Sequence, residues 1–395
     1  MIDNIEYMFY NMFMDAIDKL KALTSQMTLE PTEETHGLAP LIAKRQQDIC
    51  IQPAQMPGGK QIMLLKTLLT SVCERNCFYC PFRSGRDFRR ATFRPEEFAN
   101  LFLTLANAKA AEGIFLSSGV AGGGIRSQDQ LLATADILRN KMGFRGYIHL
   151  KIMPGADKSQ VEQAMKLANR LSVNLEAPNP ERLTRLAPQK IFTEELLRPL
   201  RWIDEIRRSS PPTRTWNGQW PSTVTQFVAG GADESDTELL STTSWLMTHV
   251  KLQRAYFSAF NPIRDTPLEN KAPTHPMREH RLYQASYLLR DYGFAMEELP
   301  FEKDGNLPLC TDPKLLWAEE HLREKPVEIN RAERNQLLRI PGIGPKGAES
   351  ILHARRLKKV DDLSKLRKLG ISAANRAAPF VLLDGKRPAY QLSLI

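Results

Sequence analysis

Short apolar runs alternate with longer segments of helical period through the middle of this 395-residue chain. Runs of this length are typical of buried strands, and strands that alternate with helices predict βαβ units around a parallel sheet. The predicted strands are Ile62–Leu69, Gly113–Leu116, Tyr147–Ile152, Leu171–Leu175, Val224–Val228 and Ala255–Phe260. The predicted helices are Pro95–Ala110, Gln128–Lys141, Lys158–Ala168, Glu194–Arg207, Asp236–Thr248 and His280–Tyr292. Six repeats predict an α/β barrel or partial barrel, with its chemistry at the carboxyl ends of the strands.

The chain is too long for one ordinary core. We predict an irregular, partly helical N-terminal region (1–60), the barrel (61–299), a linker (300–328) and a small all-helical domain (329–385). No run of about 18 apolar residues predicts a membrane span. Asp3 and Glu6 stand where a signal peptide carries positive charge, so the expected location is the cytoplasm.

Positive charge is concentrated near the C-terminal end. Residues 331–395 contain 14 Lys or Arg and 5 Asp or Glu, an excess of nine that equals the net charge of the whole chain. This asymmetry favours a polyanion-binding appendage on an electrically neutral body. A solvated basic tail is the alternative.

Three of the five cysteines, Cys73, Cys77 and Cys80, lie within eight residues directly after the first predicted strand. An odd count with this clustering does not suit a disulfide scaffold and indicates a metal or cluster site in a reducing compartment. Three thiolates can hold a [4Fe–4S] cluster and leave one iron open to a small ligand. A zinc site needs a fourth ligand, which this segment lacks. Cys50 and Cys310 are predicted to be packing residues.

With Tyr79 before its last cysteine, the segment Cys73–Cys80 resembles the CxxxCxΦC signature of the radical S-adenosylmethionine (SAM) superfamily. The resemblance implies a partial (β/α)6 barrel, a [4Fe–4S] cluster on the three cysteines, and SAM chelated to the open iron, with Tyr79 among the cofactor contacts. It also implies a reducing electron donor such as flavodoxin or ferredoxin. The electron cleaves SAM to methionine and a 5′-deoxyadenosyl radical that abstracts hydrogen from the substrate.

Residues at the ends of later strands resemble the SAM-binding positions of this superfamily. Ser117, Ser118 and Gly119 stand in place of a Gly-Gly-Glu segment, so only backbone contacts to the methionine amino group are implied. Lys151 is a candidate partner for the SAM carboxylate. Ribose contacts are implied for Asn174 and Glu176, which share one face by alternation. A partial match to the GxIxG-type segment beside adenine includes Gln226, Val228 and Gly230. Each residue alone could be an ordinary loop anchor.

Two other segments admit two interpretations. Pro81–Arg90 holds four arginines and could steer an anionic substrate, or it could be a solvated turn whose arginines pair with Glu96, Glu97 and other acids. Trp216 and its neighbour Trp220 could stack on a base or anchor a loop.

Residues Leu337–Ile351 match the helix-hairpin-helix pattern hxxhxGhGxxxAxxh at every fixed position. The two glycines permit a tight turn, and the helix that follows favours a phosphate at its N-terminus. The predicted DNA contacts are Gly342, Ile343, Gly344, Lys346 and Gly347. A degenerate second copy begins at Leu366. The module resembles the domain of competence-type DNA-uptake proteins, which implies sequence-independent binding to the phosphates of DNA rather than RNA. A protein-docking module is the alternative.

From the cluster segment through Val381 the chain resembles a bacterial family described as DNA-modification or DNA-repair radical SAM proteins. The resemblance is strongest at the cysteines, at Ser117–Gly119, at Val173–Pro178 and at the hairpin, and weak over residues 1–60. The prediction is a radical SAM enzyme acting on DNA, where a duplex base must first be exposed. One alternative is a radical SAM enzyme acting on RNA or a small molecule. Another is a DNA-binding iron–sulfur redox sensor.

Overall fold

The computed structural model of the chain describes residues 15–24, 50–56 and 60–389 and divides into two units. Unit 1 contains the described residues up to Glu234 and Trp245–Thr274. Unit 2 contains Ser235–Ser244 and the described residues from His275 onward. No helix among these residues is both long enough and apolar enough to cross a membrane.

Unit 1 is built on a curled sheet of seven strands that follow one another in chain order. Strand β1 pairs antiparallel with β2, and all later neighbours are parallel. The strands are β1 (Ile51–Gln55), β2 (Gln61–Leu68), β3 (Gly113–Ser117), β4 (Tyr147–Lys151), β5 (Arg170–Ser172), β6 (Ser222–Ala229) and β7 (Arg254–Ala259). The six parallel strands β2 to β7 confirm the predicted partial barrel.

Helices connect the parallel strands, because a parallel pair requires a crossover. Helix α1 covers residues 15–24. The others before β7 are α2 (Pro95–Asn107), α3 (Gly124–Asp136), α4 (Lys158–Leu167), α5 (Pro180–Leu186), α6 (Arg198–Ser209) and α7 (Asp236–His249). A π-helical turn, Ile137–Lys141, extends α3, and another, Phe192–Leu197, precedes α6. Their apolar faces are buried, as the completely buried Phe98 and Phe102 of α2 show.

All six predicted strands are present, with ends shifted by at most three residues. Strand β1 was not predicted, because Pro53 interrupts its apolar pattern. Proline is tolerated there because β1 is an edge strand that pairs only with β2. The irregular region predicted for 1–60 therefore contains a helix at 15–24 and this strand, and its remaining part lies outside the described residues.

Unit 2 combines helices with one small parallel ladder. Its further elements are α8 (Pro276–Asp291), α9 (Pro313–His321), β8 (Val327–Glu328), α10 (Arg334–Arg339), α11 (Pro345–Ala354), α12 (Leu363–Lys368), α13 (Ala374–Ala377) and β9 (Val381–Leu382). Helix α9 lies inside the predicted linker, and Ala318 and Leu322 belong to the same core as Ile343 and Ile351. Part of the predicted linker 300–328 therefore packs into this core. The sequence did not predict this packing, because the segment has no clear hydrophobic period.

Candidate functional site

The three clustered cysteines lie on the segment 73–80, here called the cluster loop, which follows β2 at the carboxyl edge of the sheet. The side chain of Glu74 fixes one side of this loop: its carboxylate accepts hydrogen bonds of 3.2 Å from the amides of Gly122 and Gly123, just before α3. The Glu74 amide donates to the Val120 carbonyl at 2.8 Å. A Cβ on Gly119 would lie 2.1 Å from the Val72 carbonyl oxygen, so this close approach requires glycine.

The other side of the cluster loop is fixed to the segment that follows α5. Arg75 donates to the Gln189 carbonyl and forms an ion pair with Glu195. The Asn76 amide donates to the Gln189 side chain at 3.2 Å. Protein contacts on both sides therefore define the loop's shape.

Cys73, Cys77 and Cys80 line one cavity of about 690 Å³ that opens to solvent. Cys77 is 7% exposed. Burial raises the pKa of both the Cys77 and Cys80 thiols. Several negatively charged thiolates in one buried space have a high free energy, because they repel one another and lack water. A bound metal takes the place of the thiol protons and removes this penalty, because its charge balances the thiolates.

The donor set fits an iron–sulfur cluster. Three cysteine thiols line one cavity, and thiolates are the ligands that such clusters use. Among residues 15–24, 50–56 and 60–389, no three His, Cys, Asp or Glu side chains are arranged closely enough to hold one metal ion.

The predicted SAM-binding residues surround the same space. Ser117–Gly119, Lys151, Asn174 and Glu176 line the cysteine cavity. A second cavity of about 640 Å³ shares Tyr79, Lys151, Asn174 and Glu176 with the first and adds Gln226 and Val228. The side-chain amide nitrogen of Asn174 donates to the side-chain oxygen of Gln226 at 3.2 Å. Gly230 lines neither of these cavities, and its amide donates to Glu234, so the structure does not bring it to the site.

Lys190 lines the cysteine cavity and was missed by the sequence analysis. Its ammonium lies 2.9 Å from the Glu176 carboxylate, and the two side chains are only 9% and 4% exposed. Burial lowers the pKa of Lys190, but the Cys77 sulfur and Glu176 outweigh burial and hold it above its usual value. Burial likewise raises the pKa of Glu176, but Lys190 and then Lys151 keep it below its usual value. Both groups are therefore charged.

Main-chain geometry explains how Glu176 enters the cavity. Strand β5 ends at Ser172, and Glu176 adopts φ +65°, which is uncommon for a residue other than glycine. Its amide donates to the Gln226 carbonyl, and its carbonyl accepts from the Val228 amide. Tyr79 hydrogen-bonds to the Glu176 side chain, and burial raises the pKa of Tyr79 well above its usual value.

Strand β7 and the loop after it supply further cavity residues that the sequence did not single out. Ser258 and Asn261 line the second cavity beside Phe82 and Phe260. For the other strands, polar residues at the carboxyl end were predicted as site residues. The same rule would have found a residue of β7, but the sequence analysis did not apply it there.

The arginine-rich segment and Trp216 have structural roles. Arg90 donates to the carbonyls of Phe82 and Arg83, and Arg86 donates to that of Pro81. Glu97 pairs instead with Lys19, which corrects the predicted partners. The Arg139 guanidinium lies 3.8 Å from the Trp216 ring centroid, which supports the loop-anchor interpretation.

The two remaining cysteines differ from each other. Cys50 is half-buried, and burial raises the pKa of its thiol. Cys310 is exposed, so the expected packing role is wrong for this residue.

The hairpin in unit 2 has the predicted geometry. Gly342 adopts φ +83°, and a Cβ there would lie 2.6 Å from the Ala373 carbonyl oxygen, so glycine is required on both counts. Gly344 caps α11, and Ile343 is buried. The second copy turns at Gly370, and a Cβ on Gly347 would lie 3.1 Å from the Ile371 side chain, so the two copies pack together.

The hairpin is braced from α9. Lys314 donates to the Ile343 carbonyl at 2.6 Å, and its ammonium lies 4.5 Å from the Tyr292 ring centroid. Burial is the main reason that the pKa of Lys314 falls to about 7. Lys346, in contrast, is exposed in the first turn of α11. Among the predicted DNA contacts, Ile343 is therefore a buried packing residue. Lys346 is an exposed cation beside the backbone amides that begin α11.

Two family models match the chain. Residues 67–215 match the radical SAM superfamily, and residues 323–382 match the helix-hairpin-helix motif. The first match includes all three cluster-loop cysteines and Lys190, and the second includes both hairpins. The sequence matches no curated protein.

Solved structures similar to this chain include methylornithine synthase (PylB), at 15% identity over 57% of this chain and 62% of that one, with a TM-score of 0.43. The FeFe-hydrogenase maturase HydG from Carboxydothermus hydrogenoformans is 14% identical over 57% and 51%, with a TM-score of 0.45. A radical SAM methyltransferase from Sphaerobacter thermophilus is 14% identical over 59% and 73%, with a TM-score of 0.41. The chain spans between half and two thirds of the first two proteins.

The family match and the cluster loop agree over residues 67–215. The superfamily uses a [4Fe–4S] cluster and SAM, and the cysteine donor set fits the cluster. Residues 67–215 therefore form a radical SAM domain, and a helix-hairpin-helix motif lies C-terminal to it.

Proposed function

We propose that this enzyme modifies or repairs DNA that unit 2 binds without regard to sequence. Cys73, Cys77 and Cys80 would hold the cluster, and the cavities beside them would hold SAM. When bound, the cluster supplies the electron that cleaves SAM and so generates the species that abstracts hydrogen from the substrate.

The chain's own contribution is to bind and orient SAM. Lys151 and Lys190 are two cations that line the cysteine cavity and would bind the methionine carboxylate, since a buried cation binds such a group more strongly than an exposed one. The backbone at Ser117–Gly119 offers carbonyl acceptors for the amino group. Glu176 is the acceptor available to the ribose hydroxyls, and the Asn174–Gln226 pair adds amide donors and acceptors.

Apolar residues of the second cavity limit the access of water. Phe82, Val228 and Phe260 are buried and line it beside the polar groups. A dry wall protects a reactive species from side reactions and strengthens electrostatic interactions within the site.

The observation that carries the DNA proposal is the hairpin at Gly342–Gly344 with Lys346 exposed at the start of α11. It lies in the part of the chain that holds all the excess positive charge. Helix-start amides and a nearby lysine bind phosphate through contacts that carry no base information. Duplex DNA presents such phosphates at regular spacing.

The test is anaerobic. The enzyme is reconstituted with iron and sulfide, given SAM and dithionite, and assayed for 5′-deoxyadenosine with and without deuterated DNA. We expect DNA to raise the rate and to transfer deuterium to the product, and we expect Lys346→Glu to weaken only the DNA-dependent part.

Other outcomes identify the alternatives. DNA-independent formation of 5′-deoxyadenosine, with deuterium transfer only from RNA or from a small molecule, contradicts the DNA substrate. A full cluster that never cleaves SAM contradicts turnover and favours the redox sensor.

A further inference from the structure

The outer surface of unit 1 carries an exposed tryptophan. All five tryptophans of the chain lie in the described residues, and Trp245, at 38% exposed, is the only one among the large apolar side chains left exposed. It lies in the second half of α7, in the part of that helix that belongs to unit 1. Neither of the two cavities beside the cysteines includes it. A single exposed apolar side chain is ordinary, and what distinguishes Trp245 is its neighbours.

The indole of Trp245 is part of a stack. Its ring centroid lies 4.7 Å from that of His249, with 15° between the two ring planes. A ring nitrogen of His249 lies 2.9 Å from the Trp245 carbonyl oxygen, which fixes the imidazole in this position. Residues four apart share one face of a helix, and both side chains are exposed. The two rings therefore form an aromatic platform that is already arranged before any ligand binds.

An arginine of α6 approaches this platform without covering it. The Arg201 guanidinium lies 5.8 Å from the Trp245 ring centroid, and its side chain is exposed. At Trp216, in contrast, the buried Arg139 guanidinium lies 3.8 Å from the ring centroid and packs against it. Arg201 is too distant to pack on its indole in that way. The ring therefore stays accessible, with a cation at its border.

Two arginines of α6 have charges that no described acid neutralises. Arg198 and Arg201 are exposed and one turn apart, and neither forms an ion pair within the ranges that the structure describes. The acids of the same helix have other partners, since Asp204 pairs with Arg208 at 2.6 Å and Glu205 pairs with a lysine of α4 at 2.8 Å. The tryptophan face is defined as Trp245, His249, Arg198, Arg201 and Arg208, the last of which donates to the His249 carbonyl.

The chemistry of this face suits an unpaired nucleic-acid strand better than a protein. A protein interface has an apolar core, but α6 and α7, which the structure describes in full, expose no large aliphatic side chain. Bases of any sequence stack on aromatic rings, and arginines bind the phosphates between them. In a duplex both faces of each base are already stacked, so only an unpaired base can use the ring.

We propose that the tryptophan face binds a single-stranded segment of DNA, with one base stacked on Trp245 and the neighbouring phosphates on Arg198 and Arg201. The inference rests on the proposed function, because a duplex base must leave its stack before the chemistry of the site can reach it. The hairpin of unit 2 binds phosphates, which a duplex offers, whereas the tryptophan face requires an unpaired base. Unit 1 therefore favours locally opened DNA over intact duplex.

The test measures binding by the full-length, anaerobically reconstituted enzyme. Fluorescence anisotropy at several salt concentrations gives the Kd of a fluorescein-labelled oligothymidylate and of a labelled duplex of mixed sequence. A second oligothymidylate contains 5-iodouracil and is crosslinked by ultraviolet light, and mass spectrometry identifies the crosslinked peptide. We expect the peptide that contains Trp245. Circular dichroism and cluster absorbance establish that each variant is folded and loaded.

The variants separate the ring from the charge. Trp245→Ala should raise the Kd of the oligothymidylate about tenfold, and Trp245→Phe, which keeps a ring, should recover most of that loss. Arg201→Glu should raise the same Kd about tenfold and lower the dependence of log K on log salt by about one ion. The duplex Kd should not change in Trp245→Ala. Lys141→Glu is the matched control, because Lys141 is an exposed cation of unit 1 at the end of the turn that extends α3, and it should change neither Kd.

Three results overturn the proposal. The first is an oligothymidylate Kd that is unchanged in both Trp245→Ala and Arg201→Glu, and the second is crosslinking confined to peptides of unit 2. The third is a shift by light scattering from dimer to monomer in Trp245→Ala with unchanged DNA binding, which assigns the face to a second copy of the chain. If the wild type binds neither the single strand nor the duplex, the proposed function has failed instead.

Discussion

The proposed SAM site in unit 1 and the hairpin in unit 2 contain charged residues in opposite environments. Glu176 and Lys190 are buried against each other beside the cysteines, whereas Lys346 is exposed to solvent. Buried, paired groups fix one ligand in one geometry, while exposed cations accept any phosphate that approaches. Under the proposed function, unit 1 determines which chemistry occurs, and unit 2 binds the polyanion without selecting its sequence.

The largest effect is expected at Cys77, the most buried of the three predicted ligands. Cys77→Ala removes one thiolate, so cluster content and SAM cleavage should both fall to background. Iron analysis and the 5′-deoxyadenosine assay measure these quantities. Cys310→Ala is the control because Cys310 is exposed and lies in unit 2. A Cys77 variant that retains a full cluster contradicts the assignment.

The buried pair should show the next largest effect. Lys190→Met leaves the Glu176 carboxylate without its nearest cation, and removal of one member of a buried pair costs about 3 kcal/mol in unfolding free energy. Lys190→Met combined with Glu176→Gln should recover part of that loss, since no unpaired charge remains. Denaturant unfolding of the single and double variants measures the coupling. Additive losses would show that the two residues act independently and would weaken the contrast with unit 2.

A smaller effect is expected at Lys346. Lys346→Glu should weaken DNA binding about tenfold for every sequence and lower the dependence of log K on log salt by about one ion. Fluorescence anisotropy at several salt concentrations measures both. Lys303→Glu is the matched control, since Lys303 is another exposed lysine of unit 2. A loss confined to one DNA sequence would contradict phosphate-only contacts.

A further effect concerns Lys314, a lysine of unit 2 that is buried as Lys190 of unit 1 is. Burial is the main cause that lowers its pKa to about 7; Asp312 opposes this shift, and Arg339 and Arg376 add to it. From about pH 7 to 10.5 the unfolded chain binds a proton that the folded chain does not, so stability rises with pH. Relative to Lys314→Met, the wild type should gain about 2 kcal/mol between pH 7 and pH 9 by denaturant unfolding. Parallel pH profiles would show that Lys314 stays charged.

Local patterns were enough to predict much of the molecule. The strand periods, the cysteine spacing and the hairpin glycines are encoded within a few residues, and the partial barrel and Gly342 geometry follow from them. Lys190 could not be found this way, because it lies after α5 with no motif around it and meets Glu176 only in the folded chain. The sequence analysis predicted the position of Glu176 from the alternation of side chains along a strand. In the structure the strand ends earlier, and the left-handed backbone of Glu176 itself brings its side chain to the cavity.

Two misses have the same origin. Strand β1 contains a proline that only an edge position tolerates, and α9 contributes to the hairpin core although its segment has no clear period. In both cases long-range packing decides the outcome, and no local propensity reports it.

The contacts of Glu74 and Arg75 bear on how the enzyme survives damage. Iron–sulfur cubes are destroyed by oxygen, and in many small metalloproteins the fold is lost with the metal. Here the ligand loop is held by amides, a carboxylate and a carbonyl of the protein itself. A chain that loses its cube therefore keeps the cradle for a new one, so that repair requires fresh iron and sulfide rather than synthesis of a new polypeptide.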